Sequence, residues 1–216
     1  RPLPLWVLLL EHQVQSSLHP GVFKQIRREM LYNLIFEETR EDLLNGHLAE
    51  LKSHLAEYAQ KRDMKQILDT LKSLFLPDVQ IPTSKRKKID EALSHAEEGA
   101  WMTPLIREIG NMGNDDLALL KETFSYCRHG LPDLLIRQLG EERSIAGRKR
   151  LSFLLIDIGH DALQSIVKSL SDDRWFLVRN LVMILGKIGD PSCIEDLLPL
   201  LSGNNYRVQR EVIYTL

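Results

Sequence analysis

Leu105-Ile106-Arg107-Glu108-Ile109 is the first copy of the apolar signature that decides the fold of this chain. The signature returns at intervals of 30 or 31 residues as Leu135-Ile136-x-x-Leu139, Ile166-Val167-x-x-Leu170 and Leu197-Leu198-x-x-Leu201. Self-similarity at a short fixed period is typical of repeat proteins, in which each unit buries its apolar face against its neighbours. The sequence therefore predicts four units, over residues 101–130, 131–160, 161–190 and 191–216.

The spacing of apolar residues within the units is helical. In the third unit, Leu181, Ile184, Leu185 and Ile188 stand at helical positions 0, 3, 4 and 7, and Gly189-Asp190-Pro191 follows them. Glycine commonly ends a helix and proline commonly begins the next one. No stretch of the chain alternates apolar and polar residues as a half-buried strand does. An all-α fold is therefore predicted, with two helices in each unit.

The motif Leu185-Gly-Lys-Ile-Gly-Asp-Pro191, with Asp173 and Arg179 ahead of it, resembles the short HEAT-like repeats named after phycobilisome lyases. The resemblance covers residues 101–216 and implies an α-α superhelix, a HEAT-like solenoid. In that family an aspartate and an arginine at this spacing form a polar ladder between successive units. The resemblance thus implies a structural role for Asp173 and Arg179, and for Asn204 and Arg210 in the next unit.

The first half of the chain is predicted to be an irregular helical region over residues 1–76. Its first helix carries an apolar stripe of Val22, Phe23, Ile26, Met30, Leu34 and Ile35. Thr39-x-x-Asp42 and Asp63-x-x-Gln66 have the form of capping boxes, which mark the starts of two further helices. Two prolines, at positions 77 and 82, indicate a linker over residues 77–84, so that the solenoid domain spans residues 85–216. The last repeat is incomplete and the chain opens at Arg1, which leads us to expect a fragment of a longer protein.

Composition limits the possible partners and surroundings. The 216 residues carry a formal net charge of −2, which disfavours nucleic acid as a partner. The longest strongly apolar run, Leu5 to Leu10, is far shorter than a membrane-spanning helix, which needs about 20 residues. Cys127 and Cys193 form no paired motif, and Cys127 falls on a position that the repeat predicts to be buried. We therefore expect a cytoplasmic protein without a membrane partner.

The sequence offers little that resembles an active site. It has no Gly-rich phosphate loop, no GxSxG motif and no zinc-binding spacing. One metal-enzyme hypothesis rests on His47-x-x-Glu50 and His54-x-x-Glu57, which share one side of a helix. The alternative is a duplicated heptad whose polar residues flank a leucine seam, and it is favoured because one helix alone cannot close a metal site. No catalytic residue, metal ligand or cofactor is predicted.

The second helices leave a row of residues that the core does not need. With Leu181, Ile184 and Leu185 pointing inward, the outward positions of the third unit are Phe176, Asn180, Met183 and Lys187. Aligning the units adds Phe153 and Tyr214 to this row. Second helices usually line the concave side of a solenoid, so these six residues are predicted to bind a peptide or a helix of another protein. An alternative is that the N-terminal helices cover this surface.

The leading functional prediction is therefore a non-enzymatic scaffold or protein-interaction module. The main alternative is a nucleic-acid-binding protein that resembles the HEAT-like alkylpurine DNA glycosylases, which line a concave surface with aromatic, acidic and basic residues. This alternative would use Arg174, Trp175 and Arg207. A metal-dependent enzyme is the third hypothesis.

Overall fold

The computed structural model describes residues 20–75, 83–94, 101–126 and 130–216. Within these ranges the regular elements are α-helices and short 3-10 turns, and no strand occurs, which confirms the all-α prediction. The chain divides into two compact bodies. The N-terminal body ends at His54, and the C-terminal body covers Leu55–Leu216. Of the predicted linker, residues 77–84, the part up to residue 82 lies outside the described ranges. No helix in those ranges is long and apolar enough to cross a bilayer.

The N-terminal body contains α1 (Pro20–Glu37) and most of α2 (Glu41–Gln60). Leu31 and Ile35 of α1 are buried, as are the seam residues Leu44, Leu48 and Leu51 of α2. The predicted stripe on α1 is wrong in register, because Ile26, Met30 and Leu34 are exposed. Apolar residues stand side by side at 30–31 and at 34–35, and a shift of one residue turns the buried face by about 100°.

The turn between α1 and α2 also departs from the sequence prediction. The carboxylate oxygen Oε1 of Glu38 accepts hydrogen bonds from the backbone N–H groups of Thr39 and Arg40, at 3.0 and 2.9 Å. These bonds hold the pKa of Glu38 below its usual value. Glu38 thus binds N–H groups that lie just before α2, whereas the predicted capping box from Thr39 would bond the N–H of Asp42 inside the first turn.

The C-terminal body begins with the end of α2 and continues with helices that follow one another along the chain. They are α3 (Met64–Phe75), α4 (Thr83–Ser94), α5 (Met102–Glu108), α6 (Asn114–Tyr126), α7 (Leu131–Glu141), α8 (Ile145–Ile158), α9 (Leu163–Lys168), α10 (Trp175–Ile188), α11 (Ile194–Leu197) and α12 (Tyr206–Thr215). Short 3-10 turns flank α9 and α11. The predicted cap of α3 is confirmed, because Asp63 Oδ1 accepts from Gln66 N–H at 3.2 Å.

Helices α5 and α6, α7 and α8, α9 and α10, and α11 and α12 follow one another along the chain, and α6 packs against α3. The second helices α8, α10 and α12 begin at residues 145, 175 and 206, at steps of 30 and 31 residues. Helix α10 packs against both α8 and α12, and α7 packs against α5 and α8. The signature residues of the first two units are buried throughout, whereas Leu198 in the fourth unit is 48% exposed.

Gly189 ends α10 as the sequence predicts. Its φ of 71° and ψ of 27° are left-handed, and its N–H donates to the Leu185 carbonyl at 2.9 Å. A residue with a Cβ is strained in this conformation, which explains why glycine stands there. Asp190 Oδ1 then accepts from the Ser192 N–H at 2.9 Å and starts the next turn.

The two cysteines differ in whether the structure describes them. Cys193 is a buried free cysteine whose Sγ contacts the Asp190 carbonyl at 2.9 Å. Burial raises the pKa of its thiol, which keeps it protonated and unreactive. Cys127 lies outside the described residues, so its predicted burial stays a prediction.

Candidate functional site

A groove of about 850 Å³ lies along α8 and α10, and we name it the α8–α10 groove. Its apolar lining consists of Ile145, Phe153, Ile156, Trp175, Phe176 and Met183. Its polar lining consists of Arg148, Lys149, Ser152, Arg179, Asn180 and Lys187. A concave surface with mostly apolar walls and a few polar groups is the usual form of a binding site.

The groove exists because each of the two helices has a second apolar face. On α10, Leu181, Ile184 and Leu185 are buried in the core, while Phe176 is 39% exposed on the other side. On α8, Leu151 and Leu155 are buried and Phe153 is 64% exposed. Helices that bury one face normally place polar residues opposite it, so aromatic residues here call for an explanation other than folding.

Five of the six predicted partner-binding residues meet in this groove. Phe153 comes from α8, and Phe176, Asn180, Met183 and Lys187 come from α10. Tyr214 is not among the lining residues, although it is 77% exposed on α12. The groove is bounded by α8 and α10, whereas Tyr214 lies on α12, so its role in partner binding stays a prediction.

An aromatic and cationic cluster stands at the start of α10. The rings of Trp175 and Phe176 meet edge to face, with centroids 6.1 Å apart and an interplanar angle of 88°. The Arg207 guanidinium lies over the Trp175 ring at 4.7 Å and over the Tyr206 ring at 5.7 Å. Arg207 Nε also donates to Tyr206 Oη at 3.1 Å, which lowers the pKa of Tyr206. Trp175 and Arg207, two residues of the nucleic-acid alternative, therefore contact each other.

The third residue of that alternative, Arg174, is held by a carboxylate. Its Nε and Nη2 atoms donate to the two oxygens of Asp172 at 2.8 and 2.7 Å, and its backbone N–H donates to Asp172 Oδ1 at 2.8 Å. These bonds lower the pKa of Asp172 to about 2. The guanidinium also lies against Gly140, where any Cβ would collide with it. Arg174 thus joins α7 to the start of α10.

The predicted polar ladder has a contact at Arg179, but with another partner. Arg179 Nε lies 3.3 Å from Glu211 Oε2 of α12, an ion pair between successive units. The Nε atom is buried and makes no hydrogen bond of good geometry, so the attraction comes from charge proximity. Among the described residues, Asp173 and Arg210 form no ion pair, the Asn204 side chain forms no hydrogen bond, and Arg179 does not bond to Asp173. The ladder role of these three residues stays a prediction.

Other side chains bond to the free carbonyls of the turns, and the sequence analysis did not identify this role. Arg150 Nη1 donates to the carbonyls of Ile109, Gly110 and Met112 at 2.8, 3.1 and 2.7 Å, so it caps the end of α5 from α8. Arg148 Nη1 donates to the Glu142 and Arg143 carbonyls at 3.1 and 2.8 Å.

Gln209 performs the equivalent task in the fourth unit. Its Nε2 donates to the Leu201 and Gly203 carbonyls, both at 2.9 Å. Arg148 and Gln209 occupy the same position when the second helices α8 and α12 are aligned at steps of 30 and 31 residues. This alignment is the signal that could have shown their shared role, because both have long side chains with N–H donors.

The residues of the metal-enzyme hypothesis all lie on α2. Glu50 pairs with Arg27 at 3.1 Å, and Glu57 pairs with Lys61 one turn later. Among the described residues, no group of three or more His, Cys, Asp or Glu side chains is placed to hold a metal ion.

Comparisons with known proteins add little to this description. No protein-family model matches the chain, and no curated protein matches it. Among solved structures, it is similar to the crystal structure of an engineered protein from the Northeast Structural Genomics Consortium. That similarity covers 88% of this chain and 95% of the engineered protein, at 14% identity and a TM-score of 0.33. A match this loose supports no statement about function.

Proposed function

We propose that this chain is a non-enzymatic protein-interaction module, a HEAT-like α-α superhelix that binds a peptide or helix of another protein in the α8–α10 groove. The observation that carries the proposal is the meeting of five residues in one open and largely apolar groove, four of them chosen from the outward face of α10 and one from the repeat alignment. Exposing such residues to water is unfavourable, by about 25 cal/mol for each Å² of apolar surface. A partner that covers them removes this penalty.

The superhelix is part of the same proposal. It is supported by successive helix pairs at steps of 30 and 31 residues, and by the packing of α10 against both α8 and α12. In such an arrangement the second helices line one continuous surface. Tyr214 on α12 would then extend the binding surface beyond the groove itself.

The test is a random peptide library, displayed on phage and selected against the immobilised chain. Met183→Asp places a charge in the middle of the groove and is expected to weaken selected peptides at least about tenfold, the loss typical of a central contact residue. Ile213→Asp is the matched control, because Ile213 is 65% exposed on α12 and does not line the groove. Selected peptides that bind both variants as tightly as the original chain would show that the groove is not the site.

The nucleic-acid alternative makes a different prediction. It retains the pair of half-buried Trp175 and exposed Arg207, while Arg174 is already bonded to Asp172. Binding of a short DNA duplex at low salt, weakened by Arg207→Ala and by added salt, would favour it. Without such binding, a protein segment remains the better ligand for a groove with six apolar lining residues.

A further inference from the structure

The charged residues in the α8–α10 groove are all of one sign. Arg148, Lys149, Arg179 and Lys187 line it, and its lining includes no Asp or Glu. The chain as a whole has a formal net charge of −2, so the groove is locally opposite in sign to the molecule. A surface that combines apolar walls with a single sign of charge favours ligands of the opposite charge.

Two of these four cations are already engaged within the protein. Arg148 donates to the carbonyls of Glu142 and Arg143, and Arg179 lies beside Glu211. Lys149 and Lys187 are exposed, and neither forms an ion pair with any described residue. They are therefore the two groove cations that can pair with a ligand without giving up a contact.

Along the helix direction, Phe153 and Met183 lie between the two lysines. Lys149 precedes Phe153 by one helical turn on α8, and Lys187 follows Met183 by one turn on α10. Phe153 and Met183 occupy equivalent positions in the repeat alignment, so the lysines are two turns apart along the helices. At a rise of about 1.5 Å per residue, this offset is about 12 Å.

We propose that the groove binds an acidic amphipathic segment of another protein, with its apolar side chains on Phe153, Phe176 and Met183 and carboxylates beside Lys149 and Lys187. This inference rests on the proposed function, since it specifies the chemistry of the partner in the same groove. A nucleic acid fits less well, because its evenly spaced phosphates would face the apolar floor between the two lysines. The lysines also give the direction of selectivity, against basic segments.

Three labelled helical peptides of about 20 residues, each with the same leucine face, test the inference. They differ only in the residues that flank the leucines, which are Glu in the first, Gln in the second and Lys in the third. Fluorescence anisotropy with the full chain is expected to show the Glu peptide binding about fivefold tighter than the Gln peptide at low salt, as two exposed ion pairs allow. The Lys peptide is expected to bind most weakly.

Charge reversal in the protein supplies the stronger test. In the double variant Lys149→Glu and Lys187→Glu, the order should invert so that the Lys peptide binds better than the Glu peptide. Lys168→Glu is the matched control, because Lys168 is an exposed lysine on α9 outside the groove lining, and it should leave the order unchanged. Higher salt should shrink the differences between the peptides.

The possible failures separate this inference from the function on which it rests. Equal binding of the Glu and Gln peptides, both lost in Met183→Asp, would keep the groove as a peptide site and overturn the acidic partner. Binding of all three peptides that is indifferent to Met183→Asp would overturn both. A DNA duplex that binds the original chain more tightly than the Glu peptide, and loses this binding in the double lysine variant, would replace the acidic segment with a nucleic acid.

Discussion

Asp172, and not its neighbour Asp173, is the carboxylate that organises the start of α10. It accepts three hydrogen bonds from Arg174, while Asp173 is exposed and forms no ion pair with a described residue. The family spacing selects Asp173, because it counts back from Arg179 along the sequence. The hydrogen bonds go to Asp172 instead, since a side chain two residues before a free backbone N–H reaches that N–H most easily.

Replacing Asp172 with Asn is expected to lower the free energy of unfolding at neutral pH by up to about 1 kcal/mol. The effect is this small because solvent screens the partly exposed Asp172–Arg174 pair. The pKa of Asp172 is lowered from 3.8 to about 2 by its bonds to Arg174. A carboxyl with a lowered pKa stabilises the fold fully above about pH 5, and this stabilisation disappears as the pH falls towards 2. Urea unfolding at pH 7, 3.5 and 2 should show a gap between the variant and the original protein that narrows only slightly at pH 3.5 and largely closes by pH 2.

Asp173→Asn is the matched control for this prediction. It removes the same charge one residue away and should leave the urea midpoint unchanged at every pH. A variant at Asp173 that costs as much as the one at Asp172 would contradict the assignment, as would a gap between Asp172→Asn and the original protein that is undiminished at pH 2.

Helix ends were predicted well where a single residue type decides the geometry. Gly189 lies in the left-handed region at the end of α10, and Asp63 caps α3, both as the sequence indicated. The face of α1 was predicted poorly, because Met30 and Leu31 are both apolar and periodicity alone cannot choose between them. The choice belongs to packing, which exposes Met30 at 58% and buries Leu31 at 3%.

The same distinction explains which groove residues the sequence could supply. Phe153 and Met183 follow from helical geometry, since residues that do not face the core face away from it. Tyr214 satisfies the same rule, but a groove depends on which helices lie side by side. The pairing of Arg179 with Glu211 likewise joins residues 32 positions apart, and no local pattern in either helix specifies it.

At the level of the helix, Gly189→Ala should destabilise the protein by about 1 kcal/mol, because a Cβ is disfavoured at a φ of 71°. Thermal unfolding followed by circular dichroism measures the effect. The control is Gly46→Ala, at an exposed position inside α2 where φ is not positive and an added Cβ has open space. It should leave stability unchanged or raise it slightly, since alanine restricts the unfolded chain. Equal losses in the two variants would show that Gly189 does not owe its place to backbone geometry.

In the C-terminal body, Leu55–Leu216, the way the helices pack has consequences for how the protein unfolds. Helix α10 packs against α8, the turn Ser169–Ser171 and α12, whereas α12 packs against α10 and the turn Leu198–Ser202. When units contact mainly their neighbours, stability is close to a sum of unit and interface contributions, and the units can open separately. A helix with fewer neighbouring units should therefore open before one that lies between two of them.

Hydrogen exchange measured by mass spectrometry tests this expectation with two cavity-forming substitutions. Val212 of α12 and Leu185 of α10 are both almost fully buried, and truncating either to alanine is expected to cost about 2 kcal/mol or more. Val212→Ala should speed exchange in α11 and α12 and leave α7 and α8 protected. Leu185→Ala should speed exchange in α8, α10 and α12 together, because its helix packs against both neighbours. If Val212→Ala sped exchange as much in α7 and α8 as in α12, these helices would unfold together as one cooperative structure. The proposed superhelix of repeats that open separately would then be wrong.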